Sequence, residues 1–193
     1  MSSESLLASV KEHVIGIEDI EAEYPMISLG IERGNIHSIY CSYYTTLGYR
    51  LGFIPITELR IFDEDFHIAI EEEANLNHAK RSDVGWYNNA GDQLQCLVEF
   101  ERASKSPHKK AKHLIRYGKI NDDIELLILH YWDTNIRRDL DVLKKYFREG
   151  FETNSGAHIS PPDADVLIVE SVFTTDTNDM YSLAHSNVVE PDT

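Results

Sequence analysis

Residues 124–132 read Ile-Glu-Leu-Leu-Ile-Leu-His-Tyr-Trp, an almost unbroken apolar run with a single charge, Glu125, near its start. It is far shorter than the roughly 20 residues of a membrane helix. A strand with one wet face alternates apolar and polar residues, whereas a run without alternation fits a strand covered on both faces. Such a strand requires layers above and below it, and the flanking sequence supplies helices. Ser106 followed by Pro107 is an N-cap and first helical residue, and the helix runs to about Tyr117 with Gly118 as its stop. Beyond the run, Asp133 or Thr134 caps a second helix, whose residues Ile136, Leu140, Leu143 and Phe147 form one stripe that Gly150 ends. A short strand over 166–169 follows. Strands, helix, strand, helix, strand is the pattern of an α/β protein with a mixed sheet flanked by helices.

Upstream, residues 4–14 suit a short helix. A longer one spans 36–51, where Ile36, Ile39, Tyr40, Tyr43, Tyr44 and Leu47 recur at three and four; Gly48 and Gly52 weaken its end and Pro55 stops it. Strands follow at 56–62 and at 66–70, where Phe66, Ile68 and Ile70 alternate with His67, Ala69 and Glu71. Residues 82–87 form another. Asn88-Asn89-Ala90-Gly91-Asp92 is a turn rich in residues that accept positive φ, and 94–101 returns as the antiparallel partner of a hairpin.

With 193 residues, 42% of them hydrophobic, the chain suits one domain with a real core. The expected division is a single domain over 1–173, its core at about 56–150, and an acidic, mobile tail over 174–193. The N-terminus lacks a basic start, a long apolar centre and a small-residue cleavage site, so no signal peptide is read there. Cys41 and Cys96 are too few for a disulfide framework or a cysteine-rich zinc site, and a cytoplasmic location without a membrane is the expectation. No P-loop or dinucleotide glycine pattern, no zinc spacing and no Ser-His-Asp or Cys-His arrangement can be read. His130 reads as a hydrogen-bonded core histidine, and Trp86 and Trp132 as packing residues.

The formal net charge is −15, which by itself argues against a nucleic-acid partner. The charge is uneven, however. Residues 151–193 hold no Lys or Arg, while 103–120 hold no Asp or Glu and carry Lys105, Lys109, Lys110, Lys112, Arg116 and Lys119. Local field, not net charge, decides what a cleft attracts. A basic helix is commonly just a solvated face, but this one lies directly after the hairpin.

The second hairpin strand reads Cys96-Leu97-Val98-Glu99-Phe100-Glu101-Arg102. Alternation sends Cys96, Val98 and Phe100 to one face, into the core, and Leu97, Glu99 and Glu101 to the other. Two carboxylates on one strand face are costly unless something positive lies between them, either a divalent cation or a nearby Arg102, Lys105 or Lys112. Asp83, at the start of the partner strand, can bring a third carboxylate. Hard oxygen ligands of this kind suit Mg²⁺ or Mn²⁺. The plain alternative is a solvated acidic face.

An Asp opening one hairpin strand, an acidic residue on the next, then a helix and a strand resembles the core of the PD-(D/E)XK nuclease superfamily over residues 66–132. Asp83 matches the motif Asp and Glu99 its second acidic residue. Glu101 stands where the family usually has Lys, which gives Glu-x-Glu, as in some restriction enzymes of the superfamily. The resemblance implies a restriction-endonuclease-like fold and a metal-dependent endonuclease acting on nucleic acid, DNA first, with Mg²⁺ or Mn²⁺ as cofactor. Asp83, Glu99 and the Phe100 carbonyl would hold the metal, and Asp83, Glu99 and Glu101 would be the catalytic residues. Lys105, Lys109, Lys110, Lys112 and Arg116 would contact phosphates. In some relatives a Lys of the following helix replaces the missing one, for which Lys105, Lys109 and Lys112 are candidates; Glu73 or Glu58 would supply an upstream acidic residue. Cutting both strands suggests a homodimer. The opposing expectation is a catalytically silent nuclease-like domain that binds a protein or a nucleic acid. A further expectation is that the acidic segment over 151–193 folds over the basic helix as an internal DNA mimic.

Overall fold

The computed structural model describes residues 5–14, 17–60, 81–103, 107–134 and 140–191. In chain order the elements are α1 (Leu6–Val14), α2 (Ile17–Glu23), α3 (Met26–Leu29), β1 (Ile31–Glu32), α4 (Arg33–Arg50), β2 (Ile54–Arg60), β3 (Arg81–Tyr87), β4 (Leu94–Arg102), α5 (Pro107–Ile120), β5 (Leu126–Asp133), α6 (Leu140–Glu149), β6 (Phe151–Glu152), β7 (His158–Ile159), β8 (Asp165–Thr175) and β9 (Met180–Val189). Seven strands form one mixed sheet in the order β1-β9-β8-β5-β4-β3-β2, and β6 and β7 make a separate two-stranded ribbon. The fold is α/β, a mixed sheet flanked by helices.

β2, β3 and β4 form an antiparallel meander, while β4, β5 and β8 run parallel in the middle of the sheet. Parallel neighbours require crossover connections, and α5 lies in the one between β4 and β5. All eight residues of β5 are buried, as its unbroken apolar run demands. Side chains divide by parity. Cys96, Val98, Phe100, Leu126 and Ile128 pack with Ile36, Tyr40 and Tyr44 of α4, whereas Leu97, Leu127 and Leu129 pack with Leu114 of α5 and Leu143 of α6. Full burial of each Leu is worth about 1.5–3 kcal/mol, so both faces stabilise the sheet.

Two glycines sit where helices touch the sheet. A Cβ on Gly118 would lie 2.9 Å from Pro162 Cβ and 3.0 Å from Leu127 Cδ1, and one on Gly48 would lie 2.5 Å from Trp86 Nε1. Gly118 therefore serves close approach rather than helix termination, and α5 continues to Ile120. Pro55 lies within β2, the edge strand, where a missing N–H is tolerated.

The expected mobile tail over 174–193 is corrected by β9, which pairs antiparallel with β8 and with β1. Tyr181 and Leu183 alternate into the core. Asp176 accepts N–H bonds from Asn178 and Met180, and Asp179 has φ 58°, so a tight turn joins β8 to β9. Asp176 and Asp179 sit in this turn, outside the paired strands, and so do not prevent strand formation. Correspondingly, the short strand expected at 166–169 is 11 residues long. Within the acidic segment 151–193, β9 pairs with β8 and β1, while Asp163 pairs with Lys119 of α5 and the Phe151 ring lies under Lys112 and Arg116. The strand expected at 66–70 lies outside the described residues. No helix among the described residues is long and apolar enough to cross a membrane.

Candidate functional site

Glu99 lies in β4 beneath α5 and is completely buried, and Asp83 of β3 is nearly so. The carboxylates are thus not a solvated face. Their common partner is Lys110: its Nζ donates to Asp83 Oδ2 at 3.3 Å and to Glu99 Oε2. The second Glu99 oxygen, Oε1, is buried without a hydrogen-bond partner among the described residues. Buried acceptors of this kind are rare because each costs the desolvation of the group.

Asp83 is held from three directions. The Phe100 backbone N–H donates to Oδ2 at 2.7 Å, Lys110 shares that oxygen, and His37 Nε2 of α4 lies 3.3 Å from Oδ1. His37 contacts Cys41, one helical turn on, with Nδ1 3.6 Å from Sγ.

The titration behaviour follows from these contacts. Burial pushes the Glu99 carboxyl up to about 8, against the opposing pull of Lys110. Burial raises Asp83 too, but the His37 hydrogen bond, Lys110 and the Phe100 N–H outweigh it and hold Asp83 below the ordinary carboxylate value. Burial draws the Lys110 ammonium down, and the Glu99 and Asp83 carboxylates reverse this and hold it above its ordinary value. Hydrogen bonds to Asp83, then to Cys41, raise His37 to about 10. At neutral pH the centre combines an ionised Asp83, a charged Lys110, a charged His37 and a Glu99 that any further cation would help to ionise.

A cleft of about 510 Å³ opens beside this centre, lined by Arg33, His37, Glu101, Arg102, Lys110 and Trp132 among others. Glu101 does not join the Asp83–Glu99 pair; its Oε1 accepts the Arg102 N–H at 2.8 Å. Phe100 directs its N–H, not its carbonyl, to Asp83, and its ring stacks on Tyr40 with centroids 4.5 Å apart.

The basic residues are dispersed. Arg116 is buried with Cζ 5.1 Å from the Phe151 ring centre, and Lys112 Nζ lies over Phe151 and Tyr146 at 4.8 and 5.5 Å. Lys119 pairs with Asp163 at 2.8 Å, Lys110 faces the carboxylates, and Lys109 is exposed. Lys105 and Glu73 lie outside the described residues. Glu58 is exposed and pairs with Arg81 at 3.5 Å; in register it lies between Thr57 and Leu59, whose partners Val84 and Ser82 flank Asp83.

Sequence reasoning missed His37, and placed Lys110 among phosphate contacts rather than between the carboxylates. The signal for Lys110 was its phase, since Pro107, Lys110, Ala111, Leu114 and Gly118 recur at three and four, and Lys109 and Lys112 fall out of step.

The donor chemistry is compatible with a divalent cation, since two carboxylates meet at one positive charge and one buried oxygen is left over. No group of three or more His, Cys, Asp or Glu side chains that could hold a metal occurs among the described residues. Comparison with protein-family models, curated proteins and solved structures gives no significant match.

Proposed function

We propose that this protein is a metal-dependent phosphodiester hydrolase of the PD-(D/E)XK type, an endonuclease acting on nucleic acid, DNA first, with Mg²⁺ or Mn²⁺ as cofactor. The single observation that carries the reading is the convergence of Asp83 and Glu99 on Lys110 at the edge of an open cleft. The order of elements supports it: an antiparallel hairpin, then α5, then β5 parallel to β4. The lysine that the motif strand lacks comes from the following helix as Lys110.

A bound Mg²⁺ would polarise the scissile phosphate and acidify a water. Asp83 and Glu99 would hold it, with Glu99 Oε1 the oxygen free for a ligand. His37 and the Phe100 N–H fix the orientation of Asp83. Lys110 is held charged by its partners, so it is a donor that orients water and stabilises charge on the phosphate, not a base. Glu101 lines the same cleft and is the carboxylate at hand to accept the water's proton. A homodimer would supply the two sites needed to cut a duplex.

Isothermal titration with Mn²⁺, followed by Mg²⁺-dependent cleavage of single- and double-stranded DNA, tests the reading. Wild type is expected to bind and cut, and Asp83→Asn and Lys110→Ala to lose about a hundredfold or more of the activity. A wild type that neither binds the ion nor cuts refutes it.

The second reading is a catalytically inactive nuclease-like domain that serves as a binding module. It is favoured by Lys110 already bridging the carboxylates and by the lack of a three-ligand group among the described residues. Nucleic-acid or protein binding unaffected by chelators, with no cleavage, would select it.

A further inference from the structure

The cleft beside the carboxylates carries positive charge that the centre itself does not use. Lys110 and His37 are both engaged with Asp83. Arg33 and Arg102 have no carboxylate partner among the described residues, although the chain as a whole carries −15. Arg102 lies over Trp132, with Cζ 5.2 Å from the ring centre, and its buried Nε has no hydrogen-bond partner among the described residues. A guanidinium held by an aromatic ring keeps its N–H donors for a ligand. Trp132 is itself packed against Phe173 and Tyr181, which makes that platform rigid.

The same cleft receives the start of α4. This 18-residue helix begins at Arg33, has no acidic residue in its first turn, and is not capped by the Glu32 side chain. Arg33 and Gly34 both line the cleft, so the positive end of the α4 dipole adds to the two guanidinium groups. Among the described residues the opposing charge in the cleft wall is Glu101, one of whose oxygens is occupied by the Arg102 N–H. A volume of about 510 Å³ is within the range of a small-molecule site.

We propose that Arg33, Arg102 and the first turn of α4 form a subsite for a terminal phosphomonoester of a nucleic-acid strand. Two guanidinium groups without a carboxylate partner among the described residues match the charge of about −1.5 to −2 on a monoester, more than the single charge of an internal diester, and Arg is the side chain best shaped to grip phosphate oxygens. The subsite deepens the nuclease reading and rests on it for the identity of the ligand. It makes the protein a reader of strand ends, with the terminal phosphate placed next to the Asp83–Glu99–Lys110 centre.

The test is binding of short single-stranded DNA bearing a 5′-phosphate, a 3′-phosphate or hydroxyls only, measured by fluorescence anisotropy in EDTA so that no cleavage occurs. Wild type, Arg102→Gln, Arg33→Ala and Asp83→Asn are compared, with circular dichroism to confirm folding. The expected result is a preference of roughly tenfold or more for one phosphorylated end, abolished by Arg102→Gln, reduced by Arg33→Ala and retained in Asp83→Asn. Equal affinity for phosphorylated and unphosphorylated ends, or a preference untouched by both arginine variants, overturns the subsite. Cleavage by wild type in Mg²⁺ is scored separately, so failure of the hydrolase reading is distinguishable from failure of the subsite.

Discussion

Two polar clusters among the described residues, one around His130 and one around Asp83 and Glu99, solve the problem of burial differently. In one, His130 of β5 bonds Tyr44 through Nδ1 and Ser171 through Nε2, both at 2.8 Å, and Ser171 also meets Tyr40 and Ser186. Both ring nitrogens are satisfied, and burial pushes His130 down to about 3, so it is neutral at physiological pH. In the other, Asp83, Glu99, Lys110 and His37 are charged or close to it, and Glu99 Oε1 is left without a partner. A neutral, closed network specifies packing. A charged, incompletely satisfied cluster open to a cleft is what a ligand completes.

The comparison breaks most sharply at Lys110. Its replacement by Ala leaves two carboxylates without their ammonium and is expected to cost about 3–5 kcal/mol, read from urea unfolding. Added Mn²⁺ should restore more stability to Lys110→Ala than to wild type in a thermal melt. A loss below about 1 kcal/mol would make the cluster an ordinary surface ion pair.

The neutral cluster is probed by acid. The folded His130 value lies below its unfolded value, so its contribution is complete above about pH 6.5 and is lost as pH falls from there towards 3. The slope is about 1.4 kcal/mol per pH unit, or roughly 3 kcal/mol between pH 6.5 and 4.5. The raised Glu99 acts with the opposite sign, so the measurement is the difference between wild type and His130→Asn across this range. Parallel curves would show that His130 is not held neutral.

Ser171→Ala removes a shared partner of His130, Tyr40 and Ser186 and is expected to cost about 1–3 kcal/mol, with no effect on Mn²⁺ binding. A change in Mn²⁺ affinity would mean that the two clusters are coupled. The smallest effect is expected at Lys109, which is exposed: its replacement by Ala should change stability by less than about 0.5 kcal/mol and weaken DNA binding uniformly across sequences.

Much of the sheet was legible because its signals are local. The run at 124–132, the turn at 88–92 and the alternation through Cys96, Val98 and Phe100 each follow from covering a face or turning the chain. The tail at 174–193 was misread because composition outweighed the alternation of Tyr181 and Leu183, and strand pairing with β8 is a nonlocal fact. The same limit hid His37, which reaches Asp83 from a helix 46 residues upstream.

By itself the sequence determined the α/β class, the hairpin, and the parity that sends Glu99 away from Phe100, since period and turn chemistry are written in neighbouring residues. Only the tertiary structure decided that Glu99 is sealed, that Lys110 rather than Lys109 or Lys112 meets it, and that Arg33 and Arg102 share a cleft. Helical phase narrows the lysines, but which charges end up within a few ångströms depends on how α4 and α5 dock on the sheet. Docking is fixed by packing across both faces at once, which no local pattern encodes.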